Sequence, residues 1–560
     1  MAGQQPRERT RPAEGGSTTT GAAGGASAWA PLREPTFRAM WAAQFGSNVG
    51  SWMQTVGAQW LMSTLTVAAA PVALIQTASS LPVLLFALLA GVLGDLLDRR
   101  RLILACQLAM LVASVVLAGL TLAGWVTPIV LLGLIFAIGV GNAFVAPVWQ
   151  TLQPELVPAA ERSDAIALGA VNQNLARAVG PAVGGALLAA VNAGAVFLAN
   201  AVSFLGVLAV VGRARIPVRT RPQSPEHVVG AMRAGGRFIV ASRDLRVLLA
   251  RASLFVVPAS AVWALLPVLA RRQLGLGSAG YGLLLAGVGI GAVIGATLLP
   301  QAKRRLGRDR LLAGSTGLLA AGTLVLALTS SPWIAFVALV GAGLSWICAL
   351  ALFNSSFQGA LPGWVKSRAL SYYLVVFQGG MAIGSAAFGG VAGWAGLEPA
   401  LLISAGLLAA GLLVATVLRL PATDAREIAP AELPMPALDG DPSRDEGPVF
   451  VSVAYDVSPA GEADFLAALP ALRAARRRTG AIHWRSMRDA ASPESFLETY
   501  LVADWAEHER QHTRTTQGDR DALDAVTAAT KDGRRVVHHL LPAAPRTPTE
   551  PPTQATTPDA

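Results

Sequence analysis

GVLGDLLDRRRL, residues 91–102, packs two glycines, two aspartates and three consecutive arginines into twelve positions between two long apolar runs. Charge at that density is costly inside hydrocarbon, so a turn of this kind between two spans long enough to cross a bilayer belongs at a membrane surface. The three arginines vote for the cytoplasmic side, where short loops accumulate Lys and Arg. The pattern returns 204 residues on: Gly91, seven residues, then Arg99-Arg100-Arg101-Leu102 is matched by Gly295, seven residues, then Lys303-Arg304-Arg305-Leu306. A repeat in the same orientation relative to its flanking helices predicts a membrane part built from two homologous halves.

Composition agrees, with 53% hydrophobic and 14% charged residues in a chain of 560, too long for one domain. The net charge of +10 sits in short loops between apolar spans and not on one soluble face, which is the positive-inside pattern and argues against nucleic acid as a partner. Cys106 and Cys348 both fall within apolar spans, so neither a disulfide framework nor a thiolate metal site is expected.

Twelve spans are expected, roughly at 36–62, 70–94, 102–123, 127–150, 164–190, 194–212, 247–270, 280–300, 311–329, 332–359, 369–394 and 397–418. With both termini cytoplasmic, the inner connections hold nineteen Lys and Arg against Arg271 and Arg272 outside. The chain then divides into a disordered cytoplasmic tail (1–33), an N-terminal six-helix half (34–212), a cytoplasmic inter-half loop (213–246) and a C-terminal six-helix half (247–420). Within the loop, EHVVGAMRAGGRFIV has the apolar spacing of a short amphipathic helix lying on the inner leaflet. Residues 421–447 are rich in Pro, Asp and Glu and read as a linker, and 544–560 as a disordered tail. Between them, 448–543 alternates as strand, helix, strand, strand, helix, strand, a ferredoxin-like α+β unit. The fold class expected is therefore an all-α polytopic membrane protein with a small C-terminal α+β domain.

The two-half architecture and the turn after span two resemble the major facilitator superfamily. Its loop pattern Gly-x-x-x-Asp-[Arg/Lys]-x-Gly-[Arg/Lys]-[Arg/Lys] is matched at Gly91, Asp95, Arg99 and Arg100, while Leu96 and Asp98 replace a basic residue and a glycine. Gly295 and Arg304 belong to the second copy. RAVGPAVGG resembles the Gly-Pro-x-x-Gly-Gly motif of the superfamily's exporters at Gly180, Pro181, Gly184 and Gly185. LPVLLFALLAGVLGD, PELVP and AIALGAVNQNLARAVGP are similar to the enterobactin-exporter-like branch, the transmembrane secretion effectors. RRRTGAIHW and DWAEHERQHTRTT are similar to a C-terminal domain of the antibiotic-biosynthesis-monooxygenase type. The resemblance implies alternating-access export of small amphipathic molecules such as siderophores, drugs or antibiotics, coupled to protons, from the bacterial inner membrane. It also implies a substrate cavity lined by spans one, four, seven and ten.

The residues carry their own physics. Asp95 ends span two, where a carboxylate bonded to a neighbouring helix N-terminus or to the following arginines acts as a latch for the outward-facing state, or merely solvates a helix end. The glycines and Pro181 remove bulk and one backbone donor, allowing close helix contact and a kink, or ordinary tight packing. Gln44, Asn48, Ser51, Thr55 and Gln59 share one helical face of span one, and with Asn142, Trp149, Trp263, Asn354, Phe357 and Gln358 they form the expected cavity lining or, alternatively, interhelical hydrogen bonds. Arg177 stands mid-span with no acid in its own helix within reach, and Asn174 one turn earlier. It either bonds neighbouring carbonyls or Asp95, or sets the cavity potential for anionic substrates. No span interior holds Asp or Glu, which weakens proton coupling read from residues alone, and the chain has no Gly-x-x-x-x-Gly-Lys-[Ser/Thr] phosphate loop.

In the soluble domain His508 and His512 stand one helical turn apart, and a solvated helix face is the favoured reading over metal ligation. Trp484, Tyr500 and Trp505 read as core or dimer-interface aromatics. No cofactor, metal or catalytic set is expected, and the partners are a small-molecule substrate, the lipid bilayer and a proton, with dimerisation of the C-terminal domain left open. The competing functional readings are an importer of a small organic solute and a membrane-tethered monooxygenase-like enzyme.

Overall fold

The computed structural model describes residues 29–214, 228–420, 426–431, 433–434, 443 and 446–542, except that the side chains of residues 91–96 and a few others within helices are not described. Of the tail expected at 1–33, residues 1–28 lie outside it, while Ala30–Arg33 form a short 3-10 helix with Ala30 and Pro31 buried and so are not a disordered tail; the tail expected at 544–560 lies outside it. Among the described residues are twelve helices of 21 to 31 residues: α1 (Pro35–Leu65), α2 (Ala69–Leu96), α3 (Arg99–Leu122), α4 (Pro128–Leu152), α5 (Arg162–Ala190), α6 (Ala193–Arg213), then α8 (Arg243–Val268), α9 (Ser278–Leu306), α10 (Arg308–Leu328), α11 (Pro332–Gly359), α12 (Lys366–Trp394) and α13 (Leu397–Val417). Ten of them are long and apolar enough to cross a membrane, while α1 and α5 match them in length but carry more polar residues.

Local chemistry ends these helices where the sequence changes character. The Asp98 carboxylate caps α3 by accepting from the Arg101 N–H at 2.8 Å, and Asn192 caps α6 from the Ala195 N–H at 2.9 Å. Gly396, at φ +102, makes the turn from α12 into α13 in a conformation few other residues adopt.

The two groups of helices meet at one end of the bundle. There a single buried cluster draws on both, with Met53, Val56 and Phe197 from the first and Leu265, Tyr281 and Leu285 from the second. At the opposite end the buried clusters separate: one is built around Met40, Ile103 and Trp149, the other around Phe255, Leu352 and Tyr373. This second end also carries α7 (Val228–Ala241) and the C-terminal domain. Instead of lying alone on a leaflet, α7 seats Gly235 and Gly236 against Arg368 and Tyr372 at the start of α12, and the Tyr372 hydroxyl donates to the Met232 carbonyl at 3.2 Å.

The C-terminal domain is a four-stranded antiparallel sheet in the order β2-β3-β1-β4, formed by β1 (Val449–Asp456), β2 (Ile482–Arg488), β3 (Ser495–Val502) and β4 (Arg535–Leu540). Alternate residues Val449, Val451, Val453 and Tyr455 of β1 are buried, as period-two patterning requires. They lie beneath α14 (Glu462–Thr479), α15 (Trp505–Thr513) and α16 (Gln517–Ala528), which supply Phe465, Leu472, Trp505 and Val526 to one core. The single helix read from 506 to 529 is thus two, broken where Thr516 forms a capping box with Asp519 and starts α16.

Part of the stretch read as a linker is packed against this domain. Pro430 bridges Thr516, the Ala431 N–H donates to the Thr515 carbonyl at 2.9 Å, and Leu433 joins the core.

Candidate functional site

Glycines let α5 touch a neighbour on each side. A Cβ at Gly180 would stand 2.5 Å from the Trp52 Cβ, and one at Gly184 would stand 2.8 Å from the Met53 Cα, so this face of α5 lies directly on α1. A Cβ at Gly185 would stand 2.4 Å from the Gly282 Cα, on α9 of the second helix group. Close approach of this kind replaces side-chain packing with backbone contact. Pro181 is buried among them.

The same end is closed by polar ties between the two helix groups. The Gln59 amide donates to the Trp263 carbonyl at 3.3 Å, and its oxygen accepts from the Tyr281 hydroxyl at 3.1 Å. Arg271 donates to the Ser63 carbonyl, and the Thr77 hydroxyl to the Ala382 carbonyl at 3.0 Å.

One turn below Gly180 in α5 stands Arg177, half-buried, with its guanidinium 5.5 Å from the centre of the Trp52 ring. Its Nε and Nη1 are buried with no hydrogen-bond partner, and among the described residues no carboxylate forms an ion pair with it. Asn174 does not reach it, since its amide donates back to the Ala170 carbonyl at 2.9 Å. The second helix group presents Tyr373 of α12, close enough to interact electrostatically with Arg177, and the Tyr373 hydroxyl is also buried without a partner. Behind Tyr373 runs an aromatic wall: Phe357 at 5.1 Å, Phe377 at 6.2 Å, then Trp346 at 5.8 Å from Phe377 and Trp263 at 5.2 Å from Trp346.

A buried guanidinium costs about 2.5 to 3.5 kcal/mol at the centre of a span. A cation–π contact returns about 0.5 to 2 kcal/mol. The balance favours an anion or water at Arg177, and apolar aromatic walls with one cation and one hydroxyl suit an amphipathic organic anion.

The other expected cavity residues divide. Asn48 donates to the Asn172 oxygen at 2.9 Å, tying α1 to α5, and the Asn172 amide donates to the Trp41 carbonyl at 2.8 Å. Gln44 donates to Asn48 at 3.0 Å and keeps a buried oxygen without a partner, and the Thr55 hydroxyl bonds back to the Ser51 carbonyl. Asn142 and Asn354 are half-buried, and Gln358 is exposed. Trp149 is 4% exposed and packed among Met40, Ile103 and Val207, away from the Arg177 group.

In the gating motif, the Gly91 and Asp95 side-chain positions lie outside the described residues. Arg99 pairs with Glu155 at 2.8 Å, joining the α3 start to the PELVP run, and Arg100 donates to the Val211 and Gly212 carbonyls ending α6. Gly295 meets α11, where a Cβ would lie 2.5 Å from the Ile347 Cγ2, and Arg304 is exposed.

Sequence pattern alone marks neither Trp52 and Tyr373 nor the buried network in which Ser114 and Asn200 both donate to the Gln54 oxygen. Tyr373 carried one signal, its four-residue spacing to Phe377 in an apolar helix.

A family profile described as transmembrane secretion effector matches residues 26–547. The staphyloferrin A transporter of Staphylococcus aureus is 23% identical over 261 residues, 46% of this chain and 65% of that protein, so the match spans less than two thirds of that relative. Among solved structures, a bacterial homologue of the human lysosomal transporter Spinster, inward-facing and occupied, superposes with TM-score 0.55 at 16% identity over 69% of this chain and 97% of that one. The nucleoside transporter NupG gives 0.54 at 15% over 68% and 98%, and the POT family transporter PepTSo 0.54 at 14% over 68% and 97%.

Proposed function

Because the chain belongs to the transmembrane secretion effector family, we propose that it exports small amphipathic molecules bearing an anionic group, siderophore-like compounds first among them, by alternating access. The observation that carries this reading is Arg177, without an ion-pair partner among the described residues and with Tyr373 of the second helix group within electrostatic reach, in a bundle closed at one end. The curated relative is named as a staphyloferrin A transporter, which supports the siderophore class. The twelve long helices are read as twelve spans in two halves, α1 and α5 included, since their polar residues tie helices together instead of facing lipid. The Lys and Arg excess supports placing the end bearing α7 and the C-terminal domain in the cytoplasm of a bacterial cell, which would make the closed end periplasmic and the binding group open inward. The proton is the coupling ion on family resemblance, with no span-interior carboxylate to hold it.

The sheet order and helix placement of the C-terminal domain support a ferredoxin-like unit, which we read from its sequence resemblance as monooxygenase-like but not catalytic. Its outer sheet face leaves Phe450, Met487, Leu497, Val536 and Leu540 exposed, and this apolar face supports dimerisation.

The test is transport into inside-out vesicles of anionic and neutral forms of one scaffold, after a cell-accumulation screen of dyes, macrolides and catecholates. Losing a charge-assisted bond costs about 1.5 to 3 kcal/mol, so Arg177→Gln should weaken the anionic form roughly 10- to 150-fold, and Arg177→Lys less. Equal, wild-type transport by both folded variants would remove the site.

A further inference from the structure

The C-terminal domain encloses a cavity of about 260 Å³ between its sheet and the three helices. The solvated face expected for His508 and His512 is corrected by burial: His508 is 1% exposed and both residues line this cavity. Neither ring nitrogen of His508 makes a hydrogen bond, Gln511 lying beside it without closing one, and the Gln511 oxygen and His512 Nδ1 are likewise buried without partners. His539 from β4 stands 4.7 Å from His508, ring to ring. Burial, with help from the neighbouring imidazoles, pushes the His508 pKa down to about 3, and burial lowers those of His512 and His539 too. Each of these rings is therefore neutral at pH 7 and offers one donor and one acceptor. Among the described residues no group of three or more His, Cys, Asp or Glu is arranged to hold a metal.

Two guanidiniums line the cavity. Arg476 is held by Glu498 at 3.0 Å, whose carboxyl, though burial raises it, is kept below its usual range by Arg476 and by bonds from Tyr455 and Trp484. Arg535 enters from β4, and Asp519 is engaged by Arg478. The rest of the wall is mostly apolar, including Val453, Leu472 and Leu523, with Thr479, Tyr500 and Thr515 among it.

The helix that offers His508, Gln511 and His512 to the cavity also joins the domain to the membrane part. Glu507 of α15 accepts from Arg237 of α7 at 2.8 Å and from Arg514 at 2.9 Å. The Arg514 guanidinium lies 4.7 Å from the ring centre of Trp364, in the loop between α11 and α12, and Trp364 packs edge-on against Phe238 of α7. From α7 the path continues through Tyr372 to Tyr373, which faces Arg177.

We propose that this cavity binds a compact hydroxylated organic acid, its hydroxyl and carbonyl groups completing the bonds that His508, Gln511 and His512 lack and its acid group facing Arg535, and that occupancy regulates transport through α15. Binding is independent of the export reading, whereas the effect on transport rests on it.

The experiment uses the full chain in nanodiscs with 2,3-dihydroxybenzoate as probe and 2,3-dihydroxybenzamide as its neutral counterpart, followed by calorimetry. Wild type should bind the acid saturably and the amide at least about tenfold more weakly. His508→Phe, which keeps the ring volume, and Gln511→Leu should each weaken the acid about tenfold or more. Trp364→Ala should bind like wild type but lose the probe-dependent change in vesicle transport. No binding of the acid to wild type, or equal binding by the two cavity variants when folded, would overturn the site. Equal binding of acid and amide would overturn the ligand class. A transport response retained in Trp364→Ala would overturn the coupling route while leaving the export reading standing.

Discussion

Gly185→Ala strains the closed end and nothing else. The added Cβ would stand 2.4 Å from the Gly282 Cα and 3.4 and 3.5 Å from its carbonyl carbon and nitrogen. Ordinary carbon contacts begin near 3.5 Å, so α5 and α9 must part by about 1 Å, and backbone cannot rotate out of the way as a side chain would. Overpacking of this kind costs about 1 to 3 kcal/mol. The cost falls on the arrangement in which the halves touch there, so the equilibrium should move toward the arrangement open at that end by a factor of about 5 to 150. The assay is labelling of Thr55→Cys, in a background with Cys106 and Cys348 replaced by Ser, with an impermeant maleimide applied outside intact cells. The rate should rise at least about fivefold with Gly185→Ala. Gly46→Ala, where nothing lies within 4 Å of the added Cβ, should leave it unchanged. An unaltered rate in a well-expressed Gly185→Ala protein would refute the reasoning.

Glu507→Gln should release the C-terminal domain from α7, because it breaks contacts with Arg237, Arg510 and Arg514 around a carboxylate whose side chain is 9% exposed. Losing one partner of a buried pair costs about 3 to 5 kcal/mol, so hydrogen exchange in α7 should accelerate, and unchanged protection would contradict the docking. Acid should weaken the same domain. The folded pKa of His508, about 3, lies below the ordinary 6.5, so the unfolded chain binds more protons between those values and stability falls as pH drops through them. The slope is about 1.4 kcal/mol per pH unit, or about 2 kcal/mol lost by pH 5, and His508→Phe should flatten it in thermal unfolding of the full chain.

The helical architecture was legible because spans of about twenty apolar residues and charged turns are local patterns, and the repeat at Gly91 and Gly295 suggested two halves. The proposed binding group was half legible. Arg177 announced itself as a charge inside a span, but its neighbours Trp52 and Tyr373 are 125 and 196 residues away in sequence, and no local rule pairs them. The stripe on α1 was visible as a stripe, yet whether Asn48 and Gln59 face a cavity or tie helices depends on what stands opposite. His508 and His512 misled because helical spacing reports which residues share a face, while burial depends on the sheet beneath, and α15 is short and lies against it.

The strap at Glu427–Ala431 has a mechanical corollary. Leu420, anchored by its N–H to the Asp309 carboxylate, and Glu427, whose carbonyl accepts from the Gly518 N–H, are separated by six residues. A chain of that length reaches about 25 Å at full stretch. The domain is therefore on a short leash, at an effective concentration in the millimolar range beside its own docking face. Even a contact too weak to hold two separate molecules together would be occupied most of the time, and its release can be fast without the domain ever being lost.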